Sequence, residues 1–182
     1  MSKHHDSTKA DLRFLQNLAY LVPGYRAYRD VTLRRGEDSR MRARVLAGIK
    51  AARDRVRILQ DLWETEDVDP RWIQPLIDAD KNLTRLAEEL RYCCPRAENF
   101  FLAPSLSSEW VDEILEVDLL LLEDLESLGR TVYALPESPP RRKGMKAMLD
   151  SITCPISNLS THLVWRDGVL GRENPYISAS AA

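Results

Sequence analysis

Glycine, phenylalanine and cysteine are scarce in this chain, and each shortage narrows the choice of fold. The 182 residues include 7 glycines and 3 phenylalanines, whereas leucine, arginine, alanine, glutamate and aspartate are abundant. That is the composition of helices. The 3 cysteines are odd in number and Cys93 and Cys94 are adjacent, which is no disulfide framework and fits a reducing compartment.

Long apolar runs are also missing. Residues 1–9 are polar and have no apolar stretch like the core of a secretion signal. The longest purely apolar run in the middle of the chain, residues 119–122, is far shorter than the roughly 20 residues that cross a bilayer. We therefore expect a cytoplasmic protein without a membrane span.

The motifs of common catalytic sites do not occur. The sequence has no Gly-x-x-x-x-Gly-Lys loop, no Gly-x-Gly-x-x-Gly turn, no Gly-x-Ser-x-Gly elbow and no Glu-x-x-His pair. Cys154 and His162 could pair as nucleophile and base, but we interpret both as packing residues near a core face. The sequence thus predicts no enzyme, no metal and no cofactor, and no small-molecule substrate is evident.

Apolar residues, by contrast, are plentiful. They make up 44% of the chain, and 26 Lys and Arg nearly cancel 28 Asp and Glu, for a net charge of -2. A chain of this size can bury a substantial core, and its balance argues against a disordered polyelectrolyte or a strongly basic nucleic-acid binder. We predict one helical domain over residues 1–171 and a mobile tail over residues 172–182.

Hydrophobic periodicity predicts five helices and almost no strand. Apolar residues recur at steps of three and four, in a heptad-like seam along the second helix. Because each apolar stripe needs partners to cover it, we predict an all-α fold, an antiparallel bundle of four long helices plus a short N-terminal helix. The predicted helices cover approximately residues 6–22, 25–64, 69–90, 108–128 and 145–170.

Local signals set the helix boundaries. Gly36 is the candidate for a break or bend in the second helix, and Asp69-Pro70 is a good start for the third. Gly129 is placed to help end the fourth helix. The proline-rich residues 136–140 form the clearest break and are a candidate hinge, and Pro155 should kink the fifth helix.

The segment over residues 93–108 is predicted to be an ordered crossover loop. It holds two prolines, with Phe100 and Phe101 between them, and the aromatic rings are expected to plug one end of the core. Ser107 or Ser108 then caps the next helix.

Charge is distributed unevenly along the chain. Residues 26–57 contain eleven basic side chains against four acidic ones, whereas residues 109–126 contain eight acidic side chains and no basic one. In one interpretation, these charges flank shared helical seams, decide which helices are neighbours and otherwise face water. In the other, an exposed basic surface meets an acidic protein, anionic lipid or nucleic acid. That surface would consist of Arg34, Arg35, Arg40, Arg42, Arg44, Arg53 and Arg57.

Two carboxylates fall on predicted apolar stripes. Asp118 lies between Ile114 and Leu121, and Asp80 interrupts the seam of the third helix. Because an unpaired buried carboxylate is costly, we favour the hypothesis that each accepts hydrogen bonds from an arginine or tyrosine and sets the helix register. The alternative is proton or metal chemistry at these acids, with His162 as a further group.

Two short segments carry a resemblance to a known group. The Pro-Gly-Tyr-x-x-Tyr opening at residues 23–29, followed by an Arg-rich long helix, and residues 116–118, followed by a Leu-rich helix, resemble a group of bacterial all-helical proteins. The resemblance extends loosely over residues 23–172. It implies the helical fold, a bacterial origin and an aspartate at position 118, and it carries no activity. The crossover differs, because residues 93–95 and the Phe100-Phe101 pair replace the small-residue pattern of the group.

These observations favour a non-enzymatic helical protein that acts through protein–protein contact, as an adaptor, an assembly protein or a self-associating chain. The alternative is a peripheral binder of anionic membrane or nucleic acid that uses the Arg-rich helix.

Overall fold

A computed structural model describes residues 25–66, 68–92, 97–138 and 142–172. The predicted N-terminal helix over residues 6–22, the two adjacent cysteines and the tail beyond Arg172 lie outside these described residues. At Arg172, the last described residue, the guanidinium group donates to both carboxylate oxygens of Glu113, at 2.6 and 2.7 Å. The mobile tail stays a prediction.

The described residues are all-helical, with six helices and no strand. None of these helices combines the length and the hydropathy that crossing a bilayer requires. Their bounds are Tyr25–Arg29 (α1), Arg34–Thr65 (α2), Pro70–Arg91 (α3), Glu98–Leu102 (α4), Ser108–Tyr133 (α5) and Arg142–Leu170 (α6).

The break between α1 and α2 falls before Gly36 and has a different cause. The carboxylate of Asp30 accepts hydrogen bonds from the backbone N–H and the hydroxyl of Thr32, at 2.9 and 2.7 Å. An aspartate that binds the backbone two residues on forms a turn that competes with the helix. Gly36 lies inside α2 with open space around it. The chain thus breaks close to the predicted place, directly before Arg34, but not at that glycine.

The starts of α3 and α5 are capped as predicted, whereas the end of α5 is not where the glycine suggested. The Asp69 carboxylate accepts from the backbone N–H of Arg71 at 3.0 Å, and the Ser107 hydroxyl accepts from the N–H of Trp110 at 3.2 Å. Helix α5 continues beyond Gly129 to Tyr133, because its buried stripe continues through Val132. Helix α6 likewise runs on through Pro155.

The core is built from the apolar stripes of the four long helices, closed by the crossover. Phe100 and Phe101 of α4 are buried, which confirms the prediction that the crossover aromatics enter the core. The Phe100 ring stands edge-on to Tyr28, Phe101 and Trp110, with centroids 5.6 to 5.9 Å apart.

Each long helix packs against two others. Helix α2 packs against α3 and α5, and α6 packs against the same two helices. Contacts between α5 and α6 pair rising with falling residue numbers, from Glu113 with Arg172 to Asp124 with His162, so these two helices are antiparallel.

Helices α2 and α5 run in the same direction. Gly48 lies against Leu125, where an added Cβ would stand 2.5 Å from the leucine side chain, and further along Arg55 donates to the carbonyl of Leu135 at 3.3 Å. Residue numbers therefore rise together on both helices. One neighbouring pair, α2 and α5, is therefore parallel rather than antiparallel. The connection over residues 92–107 leads from the end of α3 to the start of α5, which lies beside α2.

Candidate functional site

A buried ion-pair network joins α1, α2, α5 and α6. At its centre the Nε of Arg166 donates to Asp118 at 2.6 Å, and its Nη1 donates to Asp38 at 2.8 Å. Its Nη2 donates to the Tyr28 hydroxyl at 3.2 Å, and that hydroxyl donates to the second carboxylate oxygen of Asp118 at 2.7 Å. The side chains of Arg166 and Asp38 are 3% and 2% exposed, so the protein itself must satisfy their polar atoms.

A second arginine completes the network. The Nε of Arg42, one turn further along α2, donates to the other carboxylate oxygen of Asp38 at 2.8 Å. Two guanidinium groups thus face two carboxylates, and each buried charge has an opposite charge in hydrogen-bond contact. Such pairing offsets the cost of removing the charges from water.

The network also fixes protonation states. Burial alone lowers the pKa of Arg166, but the negative charge of Asp118, and next that of Asp38, outweighs burial and raises it above its ordinary value. Burial, and next the charge of Asp118, raises the pKa of the Tyr28 hydroxyl. Arg166 therefore stays charged and Tyr28 stays neutral at neutral pH, so the two groups hold Asp118 in place rather than exchange protons with it.

Alkaline pH should destabilise the protein through Tyr28. In the unfolded chain this hydroxyl ionises near its ordinary pKa of about 10, whereas in the fold it stays neutral. Its stabilising contribution is fully present below about pH 10 and decreases above it, by up to about 1.4 kcal/mol per pH unit. Urea unfolding between about pH 8 and about pH 11 measures this loss, which should be smaller in Tyr28→Phe. The exposed Tyr133 provides the control, because Tyr133→Phe should behave like the wild type.

Arg34 is fully buried, so its predicted place on a basic surface is wrong. Its guanidinium group donates to the backbone carbonyls of Tyr28 at 2.6 Å, Phe100 at 3.0 Å and Ala103 at 2.6 Å. It thereby joins α1, the start of α2 and the crossover. Burial lowers the pKa of Arg34, which the charge of Asp30 partly offsets.

Most of the other predicted surface arginines contact an acid of this chain. The exposed members of the set are Arg35, Arg40, Arg44 and Arg57, whereas Arg42 and Arg53 are half-buried. Carboxylates of the same chain therefore neutralise much of the positive charge of α2. The ion pairs are Arg35 with Glu98, Arg40 with Glu37, Arg42 with Asp38, and both Arg53 and Arg57 with Asp80.

The two predicted polar-core acids have different surroundings. Asp118 is 7% exposed and belongs to the buried network, whereas Asp80 is half-buried at the seam between α2 and α3. One oxygen of Asp80 accepts from Arg53 at 2.8 Å and from Arg57 at 3.0 Å. Both acids accept hydrogen bonds from arginine, and Asp118 also accepts one from tyrosine.

The structure does not bring the candidate catalytic groups together. His162 contacts Asp124 at 2.5 Å, away from the partners of Asp80 and Asp118. Cys154 is exposed, so its predicted place near a core face is wrong. Over the described ranges, no three His, Cys, Asp or Glu side chains cluster as metal ligands would.

A groove lies next to the network, between the end of α3 and the last turns of α6. It encloses about 170 Å³, and Arg42 and Arg166 contribute to its lining. Tyr92 and Val164, which are 78% and 70% exposed, also line it. Charged side chains of both signs surround these apolar groups. They include Arg85, Glu89 and Asp167.

Comparisons with protein-family models, with curated proteins and with solved structures find no match for this chain. The expected similarity to the bacterial all-helical group therefore stays a prediction. The fold and the site define an all-helical protein with a buried ion-pair network beside an amphipathic groove.

Tyr28, Arg166 and Asp38 are network residues that the sequence did not mark as core polar groups, and two of them are charges on apolar stripes. Arg166 lies between Leu163 and Leu170 at steps of three and four, on the same apolar seam. Asp38 stands seven residues before Val45, on the buried stripe of α2. Asp118 was predictable as a charge on an apolar stripe, and Arg166 and Asp38 carry the same signal.

Proposed function

We propose that this protein is a non-enzymatic four-helix bundle that acts through protein–protein contact, as an adaptor or assembly protein. The observation that carries the proposal is the groove, where Tyr92 and Val164 stand exposed beside charges of both signs. Exposed large apolar side chains within a polar rim are typical of interaction sites.

The state of the ionisable core groups supports the same proposal. The carboxylate of Asp118 is held by an arginine and a tyrosine, and His162 contacts Asp124. These ionisable groups form hydrogen bonds and ion pairs with one another. Such pairing suits a role in fixing how the helices align. A polar network that must be satisfied in one arrangement opposes sliding of one helix past another.

The lining of the groove indicates the kind of partner. Tyr92 and Val164 offer an apolar contact, while Arg85 and Glu89 flank it with opposite charges. Burial raises the pKa of the Asp167 carboxyl, an effect that Arg166 and Arg42 partly offset. A protein segment with an apolar anchor between charged residues would complement this surface.

Affinity isolation from the native cell with a matched pair of variants tests the proposal. Tyr92→Ser combined with Val164→Ser removes the apolar contact of the groove, and Tyr133→Ser removes another exposed ring outside the groove. We expect a partner that the wild type and Tyr133→Ser retain and that the double variant loses, with unchanged helical content by circular dichroism. Equal capture by all three proteins, or capture by none, would overturn a role for the groove.

The alternative, binding of anionic membrane or nucleic acid through the Arg-rich helix, is not favoured by the arrangement of α2. Arg34 is buried on carbonyl groups, and Arg53 and Arg57 are held by Asp80. Among the exposed arginines, Arg35 and Arg40 are also paired with carboxylates of this chain. This pairing reduces the positive charge available to neutralise phosphates, which is the source of affinity in such binding.

A further inference from the structure

The outward face of α2 carries two large apolar side chains that the described chain leaves partly exposed. Ile58 and Leu62 are 50% and 37% exposed, one turn apart on this helix. The same face continues toward the N-terminus with Ala43, Ala47 and Ala51, all exposed. A solvent-facing stripe on a long helix is ordinarily charged and polar, so this face differs from the expected pattern.

The large and small residues are spaced so that the face complements itself. Ala43 and Ala47 are four residues apart, as are Ile58 and Leu62. When a second α2 lies antiparallel, the register that sets Ala47 against Ile58 also sets Ala43 against Leu62. The small side chains allow close approach of the backbones, and the large ones fill the space that remains.

The exposed charges on this helix are divided between its two halves. The basic ones precede Ala51, and the acidic ones follow it, where Arg57 is already held by Asp80. An antiparallel copy sets the basic half of one helix against the acidic half of the other, and the register above brings Lys50 close to Asp54. The charges concerned are Arg44 and Lys50 in the first half, together with Arg40, which also pairs with Glu37, and Asp54, Asp61 and Glu64 in the second.

We propose that α2 docks antiparallel against α2 of a second copy of this chain, with Ile58 and Leu62 of each copy over Ala47 and Ala43 of the other. The contact is isologous, so each pair occurs twice. The inference rests on the proposed function, because it names a second copy as one protein partner. It uses residues that do not line the groove. A single helix pair buries less area than a standard stable interface, so the dimer forms in a concentration-dependent manner.

A charge exchange tests this contact. The wild type should form dimers in sedimentation velocity as its concentration rises. Lys50→Glu places acid against Asp54 twice, and Asp54→Lys places base against Lys50 twice, so each variant alone should raise the dimer dissociation constant about tenfold. Mixing the two variants restores opposite charges at both positions and should restore dimers. Asp78→Lys, an exposed acid on α3, is the control and should dimerise like the wild type.

A monomeric wild type at all concentrations overturns the proposal, and so does a mixture that dimerises no better than its components. If a charge variant does not fold, disulfide formation in an equimolar mixture of Ala47→Cys and Ile58→Cys tests the contact instead. A disulfide between positions 47 and 58 of different chains, identified by mass spectrometry, supports the contact, and its absence contradicts it. Partner capture that depends on Tyr92 and Val164 does not require dimers. The dimer and the proposed function of the groove can therefore fail independently.

Discussion

Replacing Arg166 with alanine is expected to lower the free energy of unfolding by about 3 to 5 kcal/mol, because removal of one partner of a buried pair leaves uncompensated charge. The acids that lose a partner are Asp118 and Asp38, whose side chains are 10% and 2% exposed. Asp118 then keeps only the hydrogen bond from Tyr28, and Asp38 keeps only Arg42. The Tyr28 hydroxyl also loses a donor. Urea unfolding at neutral pH, followed by circular dichroism, measures the loss.

A triple variant separates charge from packing in this prediction. Arg166→Met with Asp38→Asn and Asp118→Asn removes three of the four charges of the network and keeps similar volumes. The fourth charge, on Arg42, belongs to a side chain that is 23% exposed, so the variant should regain part of the lost stability. Arg130→Ala is the matched control, because Arg130 pairs with Glu126 at 3.6 Å in an exposed position. Its effect should stay within about 0.5 kcal/mol. A loss at Arg166 no larger than that at Arg130 would contradict a stabilising role for the network.

Replacing Arg34 with alanine is expected to cost a similar amount, roughly 3 to 5 kcal/mol, because each buried acceptor left unsatisfied costs about 1 to 3 kcal/mol. This side chain donates to backbone carbonyls of Tyr28, Phe100 and Ala103, which would be left buried without a donor. Arg34→Lys should recover little, because an ammonium group lacks the planar fork that reaches several acceptors at once. Thermal and urea unfolding of both variants measure these losses.

The neighbouring Arg35 provides the comparison for Arg34. Its side chain is 54% exposed and pairs with Glu98 at 2.6 Å, and such exposed pairs contribute little. Arg35→Ala should therefore change the free energy of unfolding by less than about 1 kcal/mol. If both alanine variants lost the same small amount, the carbonyl contacts of Arg34 would not stabilise the fold.

These two adjacent arginines also show how far the sequence predicts this protein. Periodicity is sufficient for the long helices and for Asp118, because a charge on an apolar stripe is visible in one dimension. It does not distinguish Arg34 from Arg35, since Arg34 is buried by a turn at Asp30 and by a crossover far along the chain. Such burial depends on tertiary contacts that no local pattern encodes.

Helix ends illustrate the same division. Asp69 and Ser107 act through their own neighbours, and their caps were predictable from residue type and position. Gly129 has the right type for a helix end, yet α5 continues because Leu128 and Val132 are buried against other helices. Packing decides over propensity where the two disagree. The parallel course of α2 and α5 was hidden for a related reason, since hydrophobic stripes do not specify which helices become neighbours.

The hydrogen bond from Arg166 to Asp38 joins residues 128 positions apart, and this separation has a consequence for synthesis in the cell. During translation, Asp38 cannot form its ion pair with Arg166 until residue 166 has left the ribosome. The α2–α3 hairpin can form earlier from local contacts, but closure of such a long loop comes late. The hairpin would then expose apolar surface until the later helices have been synthesised. A chaperone or a second nascent copy can bind it during this period.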